Sequence, residues 1–329
     1  MTNIFGQDMF GNEVKQQVSS VIAKKFIIPP FSVLNCRDGV WQERKRAWVG
    51  LGIKSEVGRD CKVFAIGDKE QWTREQKEKG GLTYKGMVAS FDSYRVKEGT
   101  RNHTDTQGTS IFDPVLTECA YTWFCPPKGH ILDPFCGGSV RGIVASLLDY
   151  KYTGYDLRRE QIDANFQQGL AICPDNIPDW QTGDALELLD NAPMSDFIFS
   201  CPPYGDLEVY SDDPRDLSNM EYHTFVFKLK RIILKCYQHL KNNRFACFVV
   251  GDFRDKQGFY RNFVSDTISG FLECGMKLYN EIILVTSVGS LPIRITNQFN
   301  SSRKIGKTHQ NVLVFVKGDP KQATKEINA

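Results

Sequence analysis

From about residue 108 onward, short β-rich runs alternate with stretches of helical periodicity. That alternation restricts the fold more than any other feature, because it is the pattern of a parallel sheet with crossover helices. "GHILDPFCGG" reads as a strand entering a glycine turn, and "SVRGIVASLLDY" as the helix after it. "KYTGYDL" is a second strand with "RREQIDANFQQGLAI" as its helix; "DWQTGDALELL" holds a short third strand, and "SDFIFS" is a fourth. Through "EYHTFVFKLKRIILKCYQHLKNN", Phe225, Leu229, Ile232, Ile233 and Cys236 recur at spacings of three and four, which predicts a long helix. "RFACFVVGDFRD" gives a fifth strand, "GFYRNFVSDTISGFLECGM" its helix, and "KLYNEIILVTSV" and "QNVLVFVKGD" two more strands. No helix-length pattern separates that last pair, so a loop from Gly289 to His309 is expected to join them as an antiparallel edge. The expectation is an α/β fold with a seven-stranded, mostly parallel sheet.

Residues 1–107 read differently, broken by glycines and rich in charge, as in "DGVWQERKRAWVGLG" and "KEQWTREQKEKGG". They are expected to form an irregular region packed on or beside the sheet, a candidate recognition element by elimination, with 108–320 as the main domain and 321–329 as a flexible tail. The chain shows no internal repeat.

A net charge of +2 leaves no global pull toward nucleic acid, so any basic footprint must be local. No apolar run approaches the ~20 residues a bilayer requires, and the start carries no basic segment followed by an apolar core. The ten cysteines are scattered, with no CxxC pair or His-x-His cluster, so no metal site is expected. Cys236, Cys247 and Cys274 sit in apolar segments and read as small buried hydrophobes. A reduced, cytoplasmic setting is the simplest reading.

In an open α/β sheet, ligands bind beyond the carboxyl ends of the strands. Gly137 and Gly138 in "ILDPFCGGSVRG" let backbone approach a ligand closely, although the G-x-G-x-x-G dinucleotide fingerprint is absent. Asp156 ends the second strand, where a carboxylate can accept both ribose hydroxyls, and Asp184 ends the third, where it can accept from an adenine amino group. Each aspartate alone reads as a helix N-cap; the ordered set favours nucleoside binding.

The series "DPFCGG", "GYD", "GDAL" and "SCPPY" resembles the ordered motifs of S-adenosylmethionine-dependent DNA methyltransferases that modify exocyclic amines. Those enzymes carry DPFxGSG at the first strand and [DNS]PP[YF] at the fourth. "FDPVLTECAYTWF" resembles their helix that closes over the methionine end of the cofactor, and the chain as a whole is similar to bacteriophage-encoded DNA methylases. The resemblance is strong from about 110 to 318. It implies a Rossmann-like class I methyltransferase fold, S-adenosyl-L-methionine as cofactor, double-stranded DNA as partner, and a DNA-modification or restriction-modification setting. It places Phe112, Asp133, Phe135, Gly137, Gly138, Asp156 and Asp184 around the cofactor, and Ser200, Cys201, Pro202, Pro203 and Tyr204 in catalysis.

That chemistry accounts for a strand ending in Pro-Pro-Tyr. An exocyclic base amine is a poor nucleophile, since its lone pair is delocalised into the ring. Pro202 and Pro203 are rigid and present carbonyls without competing N–H donors, and Tyr204 offers a face on which an extruded base can stack. Cys201 departs from the pattern, which has Asp, Asn or Ser there. It reads as a Ser-like substitute in an amino-methyltransferase, as a nucleophile for alkylation at pyrimidine C5, or as a structural thiol in a DNA-binding protein with a vestigial pocket. The target is cytosine N4 or adenine N6, with Ser200 tilting the resemblance toward cytosine; Pro-Pro-Tyr sites also serve RNA and proteins. Asp206, Glu208, Asp212 and Asp213 follow as a gating or simply solvated loop, with Tyr210 a second stacking candidate. "SLPIRITNQFNSSRKIGKTHQ" carries Arg294, Arg303, Lys304 and Lys307 without an acid, a pattern suited to phosphate contact. Arg44, Lys45 and Arg46 between Trp41 and Trp48 are a second DNA-contact candidate, evenly balanced against an ordinary solvated surface.

Overall fold

A computed structural model describes residues 26–54, 112–205, 211–289 and 291–329. The chain divides into two units, Met1–Phe31 and Ser32–Ala329. In the first, the described residues 26–31 make short turn hydrogen bonds, Ile28 N–H to Phe26 O and Phe31 N–H to Pro29 O, both 2.8 Å.

In the second unit the β-rich runs become strands of one sheet. They are β1 (Val33–Asn35), β2 (His130–Asp133), β3 (Lys151–Asp156), β4 (Asp179–Thr182), β5 (Ser195–Ser200), β6 (Leu240–Val250), β7 (Lys277–Val285) and β8 (His309–Lys317), in the order β1-β7-β8-β6-β5-β2-β3-β4. The helices are α1 (Gly39–Gly50), α2 (Pro114–Phe124), α3 (Val140–Leu147), α4 (Arg159–Ile172), α5 (Ala185–Leu188), α6 (Tyr222–His239), α7 (Phe263–Glu273), α8 (Leu291–Ser302) and α9 (Pro320–Ile327). β4, β3, β2, β5 and β6 run parallel in sequence, as strands joined by crossover helices must. β5 is buried at all six positions and the run Phe245–Val250 at every one, the continuous burial of central strands covered on both faces. The predicted stripe on α6 is its buried face: Phe225, Leu229, Ile232, Ile233 and Cys236 enter one core cluster with Ile198, Phe248 and Phe315. Cys236 and Cys247 are buried as expected, while Cys274 is half-buried.

The α/β class holds, with differences at the sheet's outer part. There are eight strands, because Val33–Asn35 pair in parallel with Ile283–Val285. A three-residue strand inside a charged, glycine-broken region carries too little alternation to be read, and with it residues 32–54 join the main unit rather than a separate N-terminal region. The antiparallel strand is not at the edge: β8 lies between β6 and β7 and runs against both. The segment expected as a loop holds α8, whose Pro292 occupies the first turn, where a proline costs a helix no hydrogen bond. The expected tail folds as α9, capped by Asp319 with Pro320 in its first turn; Ala323 is buried and Glu326 pairs with Arg244. Among the described residues, no helix is long and apolar enough to cross a membrane.

Candidate active site

The turn after β2 shows why the chain needs glycine there. Gly137 has φ 51°, in the left-handed region that a side chain disfavours. Its carbonyl accepts from Asn165 Nδ2 at 2.7 Å, which fixes the turn to α4. Beneath lies a buried polar hub. Asp133 is fully buried and accepts from Arg141 Nε (2.6 Å), Tyr152 Oη (2.7 Å), Ser200 Oγ (2.6 Å) and the Phe135 N–H (3.2 Å). Arg141 also donates to the carbonyls of Phe135 and Cys136, the latter at 3.0 Å. Burial works against the guanidinium charge, but Asp133, through its charge and hydrogen bond, together with Tyr152 and Cys201 outweighs it and drives the Arg141 pKa upward. Arg141 therefore stays charged, and one carboxylate ties the end of β2, its glycine turn and the end of β5 together.

Above this hub a cavity of about 560 Å³ opens at the carboxyl ends of the parallel strands. That volume falls in the range of small-molecule sites, roughly 300–1,000 Å³. Its wall includes Phe112, Phe135, Gly137, Gly138, Asp156 and Asp184 together with Cys201, Pro202, Pro203 and Tyr204. Phe112 and Tyr204, 92 positions apart in sequence, thus share one wall. Phe112 packs edge-on to Phe199 at 5.6 Å, and the Arg141 guanidinium lies 4.4 Å from its ring centre.

Of the two strand-end aspartates, Asp184 is the N-cap of α5, while the N-cap of α4 is Arg158 rather than Asp156. Asp156 Oδ1 accepts the Arg158 N–H at 2.9 Å, and Asp184 Oδ1 caps α5 through the Leu186 N–H at 2.8 Å. Both also line the cavity, so the backbone bond orients each carboxylate there.

On the other side, the Tyr204 ring meets Phe253 and Phe263 edge-on at 6.2 and 5.8 Å, and its hydroxyl accepts from Gln310 Nε2 at 2.7 Å. The wall continues through Gly251, Asp252 and Phe253 after β6, and through Lys307, His309 and Gln310 at the start of β8. Lys307 Nζ donates to the Asp252 carbonyl at 3.3 Å; burial lowers its pKa, partly opposed by the Asp252 charge. Burial, and then the Lys307 charge, lower that of His309.

Not every expected residue reaches the cavity. Asp133 and Ser200 face the hub instead of the wall, and support the site from beneath. Arg44 is engaged within the fold, where it and Trp48 both bond Glu118 of α2; Lys45 does line the cavity, paired with Asp113 at 3.1 Å. Of that trio only Arg46 is exposed, because Trp41 and its neighbours dock α1 onto α2. In the second basic cluster, Lys307 lines the cavity. Arg303 is exposed, 5.1 Å from the Phe299 ring centre, and Lys304 is half-buried. Arg294 lies on α8, its side chain outside the described residues, as are Asp206, Glu208 and Tyr210. Asp213 is held by Arg215 at 2.8 Å. Among the described residues no His, Cys, Asp and Glu cluster could hold a metal, and nine cysteines are free thiols. Cys136, inside the glycine turn, has its thiol pushed well up by burial.

Sequence reading missed Arg141 and Gln310. A lone arginine within the apolar helix "SVRGIVASLL" was the available signal, since a buried cation requires a partner. Gln310 carried none.

The segment spanning β5 to the end of the chain has a counterpart among known families. Residues 195–329 match the DNA methylase family of the N6/N4 type. The match includes Cys201 to Tyr204 and the wall from Gly251 to Gln310. A search of curated proteins returns no match. Among solved structures, the chain is similar to TrmN from Thermus thermophilus (15% identity, 63% of this chain and 49% of that one, TM-score 0.41). It is also similar to magnesium protoporphyrin IX methyltransferase from Synechocystis PCC 6803 with bound SAM (12%, 78% and 99%, 0.41). A third is a putative DNA modification methylase, also from Thermus thermophilus (19%, 42% and 51%, 0.32). The chain thus spans about half the length of TrmN and of the modification methylase. At these TM-scores the likenesses carry no argument about the chemistry.

Proposed function

We propose that this chain transfers a methyl group from S-adenosyl-L-methionine to an exocyclic amine, cytosine N4 or adenine N6, of a DNA base flipped out of the duplex. The observation that carries the reading is the shared cavity: the glycine turn and two strand-end carboxylates on one side, Cys201 to Tyr204 on the other.

The residues fit the cofactor. Gly137 and Gly138 leave room for close backbone approach, Asp156 suits a ribose diol, Asp184 an adenine amine, and Phe112 and Phe135 supply apolar surface. Bound there, S-adenosylmethionine supplies an electrophilic methyl group. The chain positions the acceptor. Tyr204, held by Phe253, Phe263 and Gln310, offers a fixed aromatic surface for the base. The carbonyls beside Pro202 and Pro203 accept the amine hydrogens, which pulls electron density onto nitrogen and favours the pyramidal geometry needed for attack. Ser200 and Asp133 keep that turn in register with the glycine turn. The reaction runs in the cytoplasm, where the DNA is, as DNA modification of the kind found in restriction-modification systems and phage-encoded methylases.

The test is direct. DNA incubated with the protein and cofactor, then digested to nucleosides, should yield N4-methylcytosine or N6-methyladenine by mass spectrometry. 5-Methylcytosine would replace this reading with the Cys201 nucleophile, and no modified nucleoside would refute it.

A further inference from the structure

The two most exposed large hydrophobic side chains among the described residues are Phe259, at 69%, and Ile305, at 72%. Both lie on segments that start at the cavity. Phe259 sits on a hairpin that leaves the wall at Phe253 and returns at Arg261. It is stitched by Arg261 N–H to Phe253 O (3.0 Å), Asp255 N–H to Phe259 O (2.8 Å), Gly258 N–H to Asp255 O (3.0 Å) and Phe259 N–H to Asp255 Oδ1 (2.9 Å). Gly258 takes φ 97°, so the turn depends on glycine. Arg254 braces the interior, donating to Gly258 O at 2.8 Å while its guanidinium lies 4.0 Å from the Tyr260 ring centre. Ile305 follows Lys304, whose side chain lies against Gly258 with Cε 2.7 Å from where a Cβ would stand. The Phe259 ring, at the tip of so braced a hairpin, is left largely to solvent among the described residues.

The charges around it name the partner. Arg254, Lys256 and Arg261 on the hairpin, with Lys304 and Lys307 beside it, face Asp255 and Asp252. Both aspartates bond N–H groups, Asp255 that of Phe259 and Asp252 that of Val264 at 3.0 Å. Five cationic side chains against two carboxylates leave the segment net positive beside an apolar tip, the composition of side chains that part base steps beside phosphates. The tip lies about three strand residues, roughly 10 Å, beyond the wall of the cavity, of the order of the ~12 Å width of a major groove.

We propose that Phe259 is the wedge that enters the base stack of duplex DNA and holds open the place vacated by the base on Tyr204, with Ile305 packing beside it and Lys304 and Lys256 on the flanking phosphates. The proposal rests on the base-modification reading above and adds the residues that extract the base. A wedge matters only where a stack exists to be parted. The test therefore compares methyl transfer by the full chain to unmethylated genomic DNA, either as duplex or after heat denaturation. Phe259→Ala should lower the rate on duplex about tenfold or more and leave the rate on denatured DNA within about twofold. Phe259→Trp should restore the duplex rate, and cofactor binding by calorimetry should match wild type in both variants. Equal rates for wild type and Phe259→Ala on duplex, or equal losses on both substrates, would overturn the wedge while leaving the methylase reading intact. A wild-type chain that methylates neither substrate would overturn both.

Discussion

Asp133→Asn tests the hub beneath the cavity. The native carboxylate accepts four hydrogen bonds, three of them from the side chains of Arg141, Tyr152 and Ser200, and Arg141 is itself only 5% exposed at its side chain. An amide there keeps the shape but removes the countercharge and turns an NH2 toward a donor. Breaking one side of a buried ion pair costs about 3–5 kcal/mol. That is a large share of the ~5–15 kcal/mol by which a domain is stable, and at ~2–4 °C per kcal/mol it corresponds to a fall in Tm of about 10 °C. Loss of the Arg141 bonds to Phe135 O and Cys136 O should also loosen the glycine turn, weakening S-adenosylmethionine about tenfold, or ~1.4 kcal/mol. Differential scanning calorimetry and isothermal titration read the two effects. The double variant Asp133→Asn/Arg141→Met should recover part of the Tm, since it removes the stranded charge, but none of the affinity. A single variant melting within about 2 °C of wild type would refute the reasoning, because it would mean that the pair is screened by water rather than buried.

Other outcomes follow from the same geometry. Tyr204→Ala should lower kcat/KM at least about tenfold by removing the stacking surface, whereas Tyr204→Phe, which keeps the ring and loses the Gln310 bond, should cost about 1 kcal/mol or less; cofactor affinity should be unchanged in both. Cys201→Ser should keep most activity if carbonyls accept the amine hydrogens; loss of more than about a hundredfold would point instead to a thiolate nucleophile. Asp156→Ala should weaken cofactor binding about tenfold or more in calorimetry with little change in Tm. Asp196 provides a pH signature. Burial works against its charge, but Lys241, the His130 N–H and Arg244 hold its pKa below the ordinary 3.8. A depressed carboxylate contributes stability above its unfolded pKa and loses it as pH falls through the folded one. Asp196→Asn should therefore cost about 2 kcal/mol at pH 7 and flatten the acid limb of the Tm profile below about pH 4; an unchanged limb would discount the cluster.

The parallel part of the sheet was legible because period and composition agree there: β2, β3, β5 and β6 are buried runs bounded by turn residues, and the α6 stripe repeats at helical spacing. So were the wall residues Gly137, Asp156, Asp184 and Tyr204, since strand order places their ends on one rim. What stayed hidden depends on direction and on tertiary partners. Ser200 and Cys201 are neighbours, yet one turns down onto Asp133 and the other lines the cavity. Arg44 and Lys45 look like a basic patch until Glu118 and Asp113, some 70 residues away, are brought beside them. α8 was illegible because "LPIRITNQFNSS" pairs weak helix formers with an early proline.

The reversed direction of β8 has a practical side. It begins at the cavity rim with His309 and Gln310 and descends the full height of the sheet, so that α9 and Ala329 come out at the far pole, beside Arg244 near the foot of β6. Nine residues of strand put about 30 Å between those two levels. A fluorophore, affinity handle or surface anchor attached after Ala329 would leave the mouth open to a long polymer passing across it.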